Sequence, residues 1–215
     1  LKMPQAIFFD LWNTLLYCPT RERVARIIRV LGLEGKADYR RVIEEMDETV
    51  FIDADYTLKE MFMGLCMEHG VECHEDAAGE AAKVWEGRLD EAGYFADTEA
   101  GLDMLGGYKL AIVSNTDVSG AEYVRRKQVD ERFDLVVMSC YVGCAKPDPR
   151  IYRIAADELG VKPGECWMVG DSLQCDVKGA EKAGLNAILL DRDGGKGGRG
   201  HVKVKSLEEV LSKVR

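Results

Sequence analysis

Five short apolar runs recur along the chain: Ala6–Phe9, Leu110–Val113, Leu135–Met138, Cys166–Val169 and Ala187–Leu190. None of them alternates with polar residues. A strand with one face in water alternates; a strand covered on both faces has no need to. These runs therefore predict parallel strands held between layers. Amphipathic segments separate the later runs, at Val118–Lys127, Arg150–Leu159 and Val177–Ala183. Strands alternating with helices predict an α/β fold built on a doubly wound parallel sheet.

The stretch from Pro19 to about Gly93 breaks this rhythm. It carries helical periodicity at Arg21–Leu31, Tyr39–Thr49, Leu58–His69 and Glu75–Glu91, with Asp38 and Thr57 as N-caps, and no strand. It reads as an all-helical insertion after the first strand, beside the carboxyl ends of the strands, where open α/β sheets bind ligands. At the other end, the glycine-rich "DGGKGGRG" predicts a loop whose Lys196 and Arg199 can touch an anion. A short strand over 201–205 and a helix over 207–214 are expected to follow.

Composition narrows the function. The net charge is −9 with no basic run, which argues against nucleic acid as a partner. No apolar run is long enough to cross a membrane, and Leu1–Gln5 shows no charged region leading into an apolar signal segment. The seven cysteines form no CxxC pair and only three histidines accompany them. That argues against zinc and for free thiols in a reducing cytoplasm. Either a monomer or a homodimer is compatible with the sequence.

Four apolar runs end in polar clusters. The first gives Asp10 and Thr14; the second, "LAIVSN", gives Ser114 and Asn115. The segment after the third gives Lys146, in "CAKPDPRIY", and the fourth gives Asp171 and Asp176, in "WMVGDSLQCD". In a parallel sheet all four reach the same edge. Carboxylates gathered there need a counter-charge. Mg²⁺ suits them, since it prefers oxygen ligands and takes one or two carboxylates. A lysine, a hydroxyl and backbone amides nearby make a seat for a tetrahedral oxyanion. An Asp at a strand tip can then act as nucleophile.

In these motifs the chain resembles the haloacid dehalogenase (HAD) superfamily, in the branch with a helical cap: "FFDLWNTLL", "VSN", "KPDPRIY" and "VGDSLQCDVKGAEKAG". The resemblance implies a Rossmann-like core over 1–17 and 94–215, with strand order 5-4-1-2-3, and a cap over 18–93. It also implies roles. Asp10 is nucleophile and metal ligand, and residue 12 offers its backbone carbonyl to the metal. Ser114 and the Asn115 amide bind the transferring group. Lys146 neutralises charge, and Asp171 and Asp176 hold and support Mg²⁺. Thr14 steadies the loop that carries Asp10.

One position departs from the pattern. Phosphatases of this superfamily carry a second Asp where this chain has Trp12, followed by Gly where it has Asn13. That Asp protonates the leaving group, and an indole N–H has no acidity for the task. The favoured expectation is a Mg²⁺-dependent phosphatase acting on a small phosphorylated metabolite through an aspartyl-phosphate. The alternative is a metal-free L-2-haloacid dehalogenase, in which Asp10 attacks carbon and Arg40 or Arg41 holds the substrate carboxylate. A weakly active or inactive binding relative is a third. The retained "GDSLQCD" favours the first, since these carboxylates beside Asp10 make sense around a cation. Trp12 is expected to close the pocket or to pack beneath the cap.

Overall fold

The computed structural model describes residues 5–195, 197 and 200–214. Lys196 and Arg199 lie outside the described residues. In chain order the elements begin with β1 (Ala6–Phe9) and β2 (Leu16–Tyr17). Four helices follow, α1 (Arg21–Val30), α2 (Tyr39–Glu48), α3 (Leu58–Glu68) and α4 (Glu75–Glu86), then β3 (Gly93–Tyr94) and α5 (Thr98–Asp103). The next are β4 (Lys109–Ser114), α6 (Val118–Arg126), β5 (Leu135–Met138), α7 (Ser139–Val142) and α8 (Pro149–Glu158). Then come β6 (Cys166–Gly170), a π-helical turn (Leu173–Lys178) running into α9 (Gly179–Ala183), β7 (Asn186–Leu190), β8 (Val202–Val204) and α10 (Leu211–Val214).

The main sheet is parallel, in the order β5-β4-β1-β6-β7-β8. Its five principal strands follow the expected 5-4-1-2-3 order, and β8 adds a sixth beside β7. β1 is buried on both faces, which is why its sequence does not alternate. Ile7 and Phe9 pack into one apolar cluster, Ala6 and Phe8 into the other. Truncating Phe8 to Ala in such a setting costs about 3–5 kcal/mol.

The helices α1–α4 bury a separate apolar cluster, with Ile27, Met46, Phe62 and Trp85 at its centre. Asp38 caps α2 through the Arg41 amide, and Thr57 and Glu60 form a reciprocal capping box at α3. The chain leaves and re-enters the sheet layer through a two-stranded antiparallel ribbon, β2 with β3. Two helices are shorter than their periodicity suggested. α4 stops at Glu86 and continues as a 3₁₀ turn, Gly87–Asp90, and the last segment splits into a 3₁₀ turn (Leu207–Glu209) and α10. Apolar spacing alone does not distinguish a helix from tighter turns of similar pitch.

Candidate active site

The register of the sheet assembles the site. Phe9 lies level with Ile112 on one side and Val169 on the other. The residues just past these strand ends therefore meet at one rim. Asp10 remains tied to that edge, its amide donating to the Val169 carbonyl at 2.9 Å. One carboxylate oxygen each of Asp10, Asp171 and Asp176 falls within a 4.8 Å cluster. An all-oxygen acidic donor set of this kind fits Mg²⁺.

Lys146 stands among the acids. Its buried ammonium donates to Asp10 Oδ1 and Asp176 Oδ1, each at 2.6 Å. Desolvation alone would lower the pKa of this lysine, but the two carboxylates outweigh it and hold the proton on well above the usual range. Burial pushes the Asp10 carboxyl up to about 7; Lys146 opposes the shift, while Asp176 and Asp171 add to it. Asp10 thus sits where a further cation is electrostatically welcome.

Several contacts hold this geometry. Thr14 Oγ1 donates to Asp10 Oδ2 at 3.1 Å. Asn115 clamps the backbone of Lys146 twice: its Oδ1 accepts from the Lys146 amide at 2.7 Å, and its Nδ2 donates to the Lys146 carbonyl at 2.8 Å. Asp176 Oδ2 accepts from the Ser172 amide at 2.8 Å. The Asp176 side chain lies so close over Gly170 that a Cβ there would collide with it, so glycine is required before the acidic motif. Arg192 bridges the Thr14 carbonyl (2.9 Å) and Asp97 (2.8 Å), which braces the loop after β1.

The cavity over this rim has a volume of about 220 Å³. Trp12 both lines it and packs. Its indole N–H donates to Thr116 Oγ1 at 3.2 Å, and its ring lies against Tyr123 at 6.1 Å. Asn13 adopts a left-handed conformation, φ 61°, which Asn tolerates better than most residues; this accounts for a non-glycine in the usual glycine place. On the helical side Arg88 is buried, 2% exposed, with Trp85 against its guanidinium at 4.1 Å. It pairs with the buried Asp117 at 3.0 Å, and the Trp85 N–H donates to the same carboxylate oxygen.

Asp10, Trp12, Asn115, Lys146, Asp171 and Asp176 all line this cavity, with Thr14 immediately behind. Three residues expected at the substrate do not line it. Arg41 is drawn to Glu45 and Glu68 along the outer side of the helices, so its charge is already satisfied away from the cavity. Arg40 pairs with Glu44 at 2.7 Å and is likewise turned away. Ser114 is fully buried, its hydroxyl 3.4 Å from the Asn115 carbonyl, and it is not a lining residue. Sequence reasoning missed Asp47, Trp85 and Arg88 on the lining, and Asp117 and Thr116 behind it. No local motif marks them, since each gains its place through contacts between distant segments.

Comparison with known proteins gives the family and the fold. A family model described as haloacid dehalogenase-like hydrolase matches residues 4–184. The chain is 27% identical over 211 residues to human N-acylneuraminate-9-phosphatase, covering 90% of this chain and 85% of that protein. It is 41% identical over 91 residues to phosphoserine phosphatase of Thermus thermophilus, covering 40% of this chain and 35% of that protein. The chain thus spans about a third of the length of the first curated relatives it matches. Among solved structures, 2-haloacid dehalogenase from Pseudomonas syringae shares the fold with a TM-score of 0.70 at 21% identity, over 99% of this chain and 98% of that one.

Proposed function

The chain belongs to the haloacid dehalogenase-like hydrolases, and from that premise we propose that it is a Mg²⁺-dependent phosphatase acting on a small phosphorylated metabolite. One observation carries the reading: three carboxylates and a buried lysine converge at the sheet rim, with the acid oxygens within 4.8 Å. In this reading Asp171, Asp176, Asp10 and the Trp12 backbone carbonyl hold the ion. When bound, Mg²⁺ supplies positive charge beside the transferring phosphoryl group.

The chain's own groups do the rest. An Asp10 carboxylate oxygen attacks phosphorus, the bond to the leaving oxygen breaks, and an aspartyl-phosphate forms. Lys146 neutralises charge between Asp10 and the incoming group. The Asn115 side chain keeps that lysine in place, and in this reading the Asn115 backbone N–H binds the phosphoryl oxygens. Water then cleaves the acyl phosphate and regenerates Asp10. Residues 18–93 act as a cap over a core of 1–17 and 94–215, and closure excludes bulk water. The named phosphatase relatives support phosphoester chemistry. A metal-free haloacid site fits less well, because Arg88 is already paired with Asp117 and cannot offer full charge to a substrate carboxylate.

The seven cysteines, all free, suit a reducing cytoplasm. No described helix is long and apolar enough to cross a membrane. The test is turnover of p-nitrophenyl phosphate with Mg²⁺ and with EDTA, beside 2-chloropropionate as the competing substrate. The expected result is Mg²⁺-dependent phosphate release, abolished in Asp10→Asn with the fold retained. Chloride release without metal, or full activity of Asp10→Asn, would overturn the assignment.

A further inference from the structure

The position that ordinarily holds the leaving-group acid is Trp12, and the structure leaves it no such role. Its N–H is given to Thr116, and an indole N–H has no useful acidity at neutral pH. The cavity must draw its proton from elsewhere. Four carboxyl groups line it: Asp10, Asp47, Asp171 and Asp176. Three of these form the acidic cluster at the rim. The fourth, Asp47, belongs to α2 and reaches the rim from the helical side. Its Oδ1 accepts from Asn115 Nδ2 at 3.1 Å, the same nitrogen that holds the Lys146 carbonyl. It is half-buried and has no cation in contact with it among the described residues.

The other titratable side chains on the lining suit the task poorly. Burial pushes the thiols of Cys18 and Cys175 up to about 11, and the Tyr39 hydroxyl is engaged with Thr20.

We propose that Asp47 is the catalytic acid and base of this enzyme, delivered to the leaving group by the cap in place of the missing side chain at position 12. The inference rests on the phosphatase reading above. As the Asp10 oxygen bonds to phosphorus, the P–O bond to the leaving group breaks. Its electron pair stays on the leaving oxygen, which takes the proton of the Asp47 carboxyl. In the second half-reaction, Asp47 as carboxylate accepts a proton from the attacking water. The new O–P bond forms and the Asp10–phosphorus bond breaks, returning both carboxyls to their starting states.

The surroundings favour such a role. Burial pushes the Asp47 carboxyl up to about 6, against the pull of the Asn115 hydrogen bond and the Lys146 charge. The charged groups around it are Lys146 on the core side and Glu44 and Glu48 on its own helix, with the neutral Cys175 thiol nearby. A carboxyl tuned toward the working pH is an effective donor and acceptor.

The test uses Asp47→Asn, which keeps an acceptor for Asn115 and loses only the proton. kcat/KM is measured on p-nitrophenyl phosphate, whose leaving group needs no acid, and on n-propyl phosphate, whose leaving group does. The variant should lose roughly 10²-fold or more on the alkyl ester and only a few-fold on the aryl ester. Asp47→Glu should recover part of the alkyl activity. Equal losses on both substrates, or no loss on either, overturn the proposal while leaving the phosphatase reading intact. If the unmodified protein turns over neither ester with Mg²⁺, both fall.

Discussion

The Lys146 ammonium and the Asp10 carboxylate lie 2.6 Å apart although 136 residues separate them. The pair is buried, and Asp176 shares the same ammonium. Replacing Lys146 by Met leaves these carboxylates facing one another without a counter-charge. The expected loss in kcat is at least about 10²-fold. Breaking a buried pair from one side costs about 3–5 kcal/mol, so melting without metal should fall as well, and Mg²⁺ should recover part of it. A Lys146→Met protein within threefold of the parent would contradict this electrostatic account.

Arg88 and Asp117 give a pH prediction. Burial raises the Asp117 carboxyl, but Arg88 outweighs it, helped by the Ser119, Trp85 and Gly120 donors, and the net shift is downward. A carboxyl with a depressed folded pKa contributes stability that is present above its unfolded value. That stability is lost as pH falls through the folded value. Unfolding titrations should therefore show stability declining below about pH 4, and Asp117→Asn should flatten that decline. An acid limb equally steep in the variant would assign it to other carboxylates.

Gly170 is a steric prediction. A methyl group there meets the Asp176 side chain, so Gly170→Ala must push that carboxylate away from Asp10 and Asp171. Mg²⁺ titration calorimetry should show affinity reduced by tenfold or more, as roughly expected when groups supporting a metal site are disturbed. Unchanged uptake of the ion would mean that Asp176 has little part in holding it.

Metal binding should also register as stability. A ligand that binds only the folded state adds RT ln(1 + [L]/Kd). Saturating Mg²⁺ should raise the melting temperature of the parent protein, and Asp171→Asn should lose most of the rise. The carboxylate cluster supplies the reason: the ion relieves repulsion that Lys146 alone leaves in place. Equal shifts in both proteins would move the ion elsewhere.

Much of this architecture is legible along the chain. β1 and β6 announce themselves because strands covered on both faces must be apolar throughout, and a polar residue just past such a run is conspicuous. Asp10 and Asp171 stand out for that reason, Lys146 and Asp176 through the motifs "KPDPRIY" and "GDSLQCD", and all four line the cavity. Arg41 and Ser114 were equally plausible by type. Whether an arginine on a helix faces a cavity or a pair of glutamates depends on how that helix is turned, and apolar spacing does not specify the partners on its polar side.

A parallel sheet, a helical insertion and an acidic rim with one lysine can be read along the chain, because strand burial and strand ends leave local signatures; the strand order follows only from the family resemblance. Folding alone brings the Trp12 N–H to Thr116, pairs Arg88 with Asp117, and sets Asp47 against Asn115 over the rim. Those contacts join segments far apart in the chain. Each depends on the angle at which the helices settle on the sheet, a property of packing shared by many side chains and marked in no single stretch of sequence.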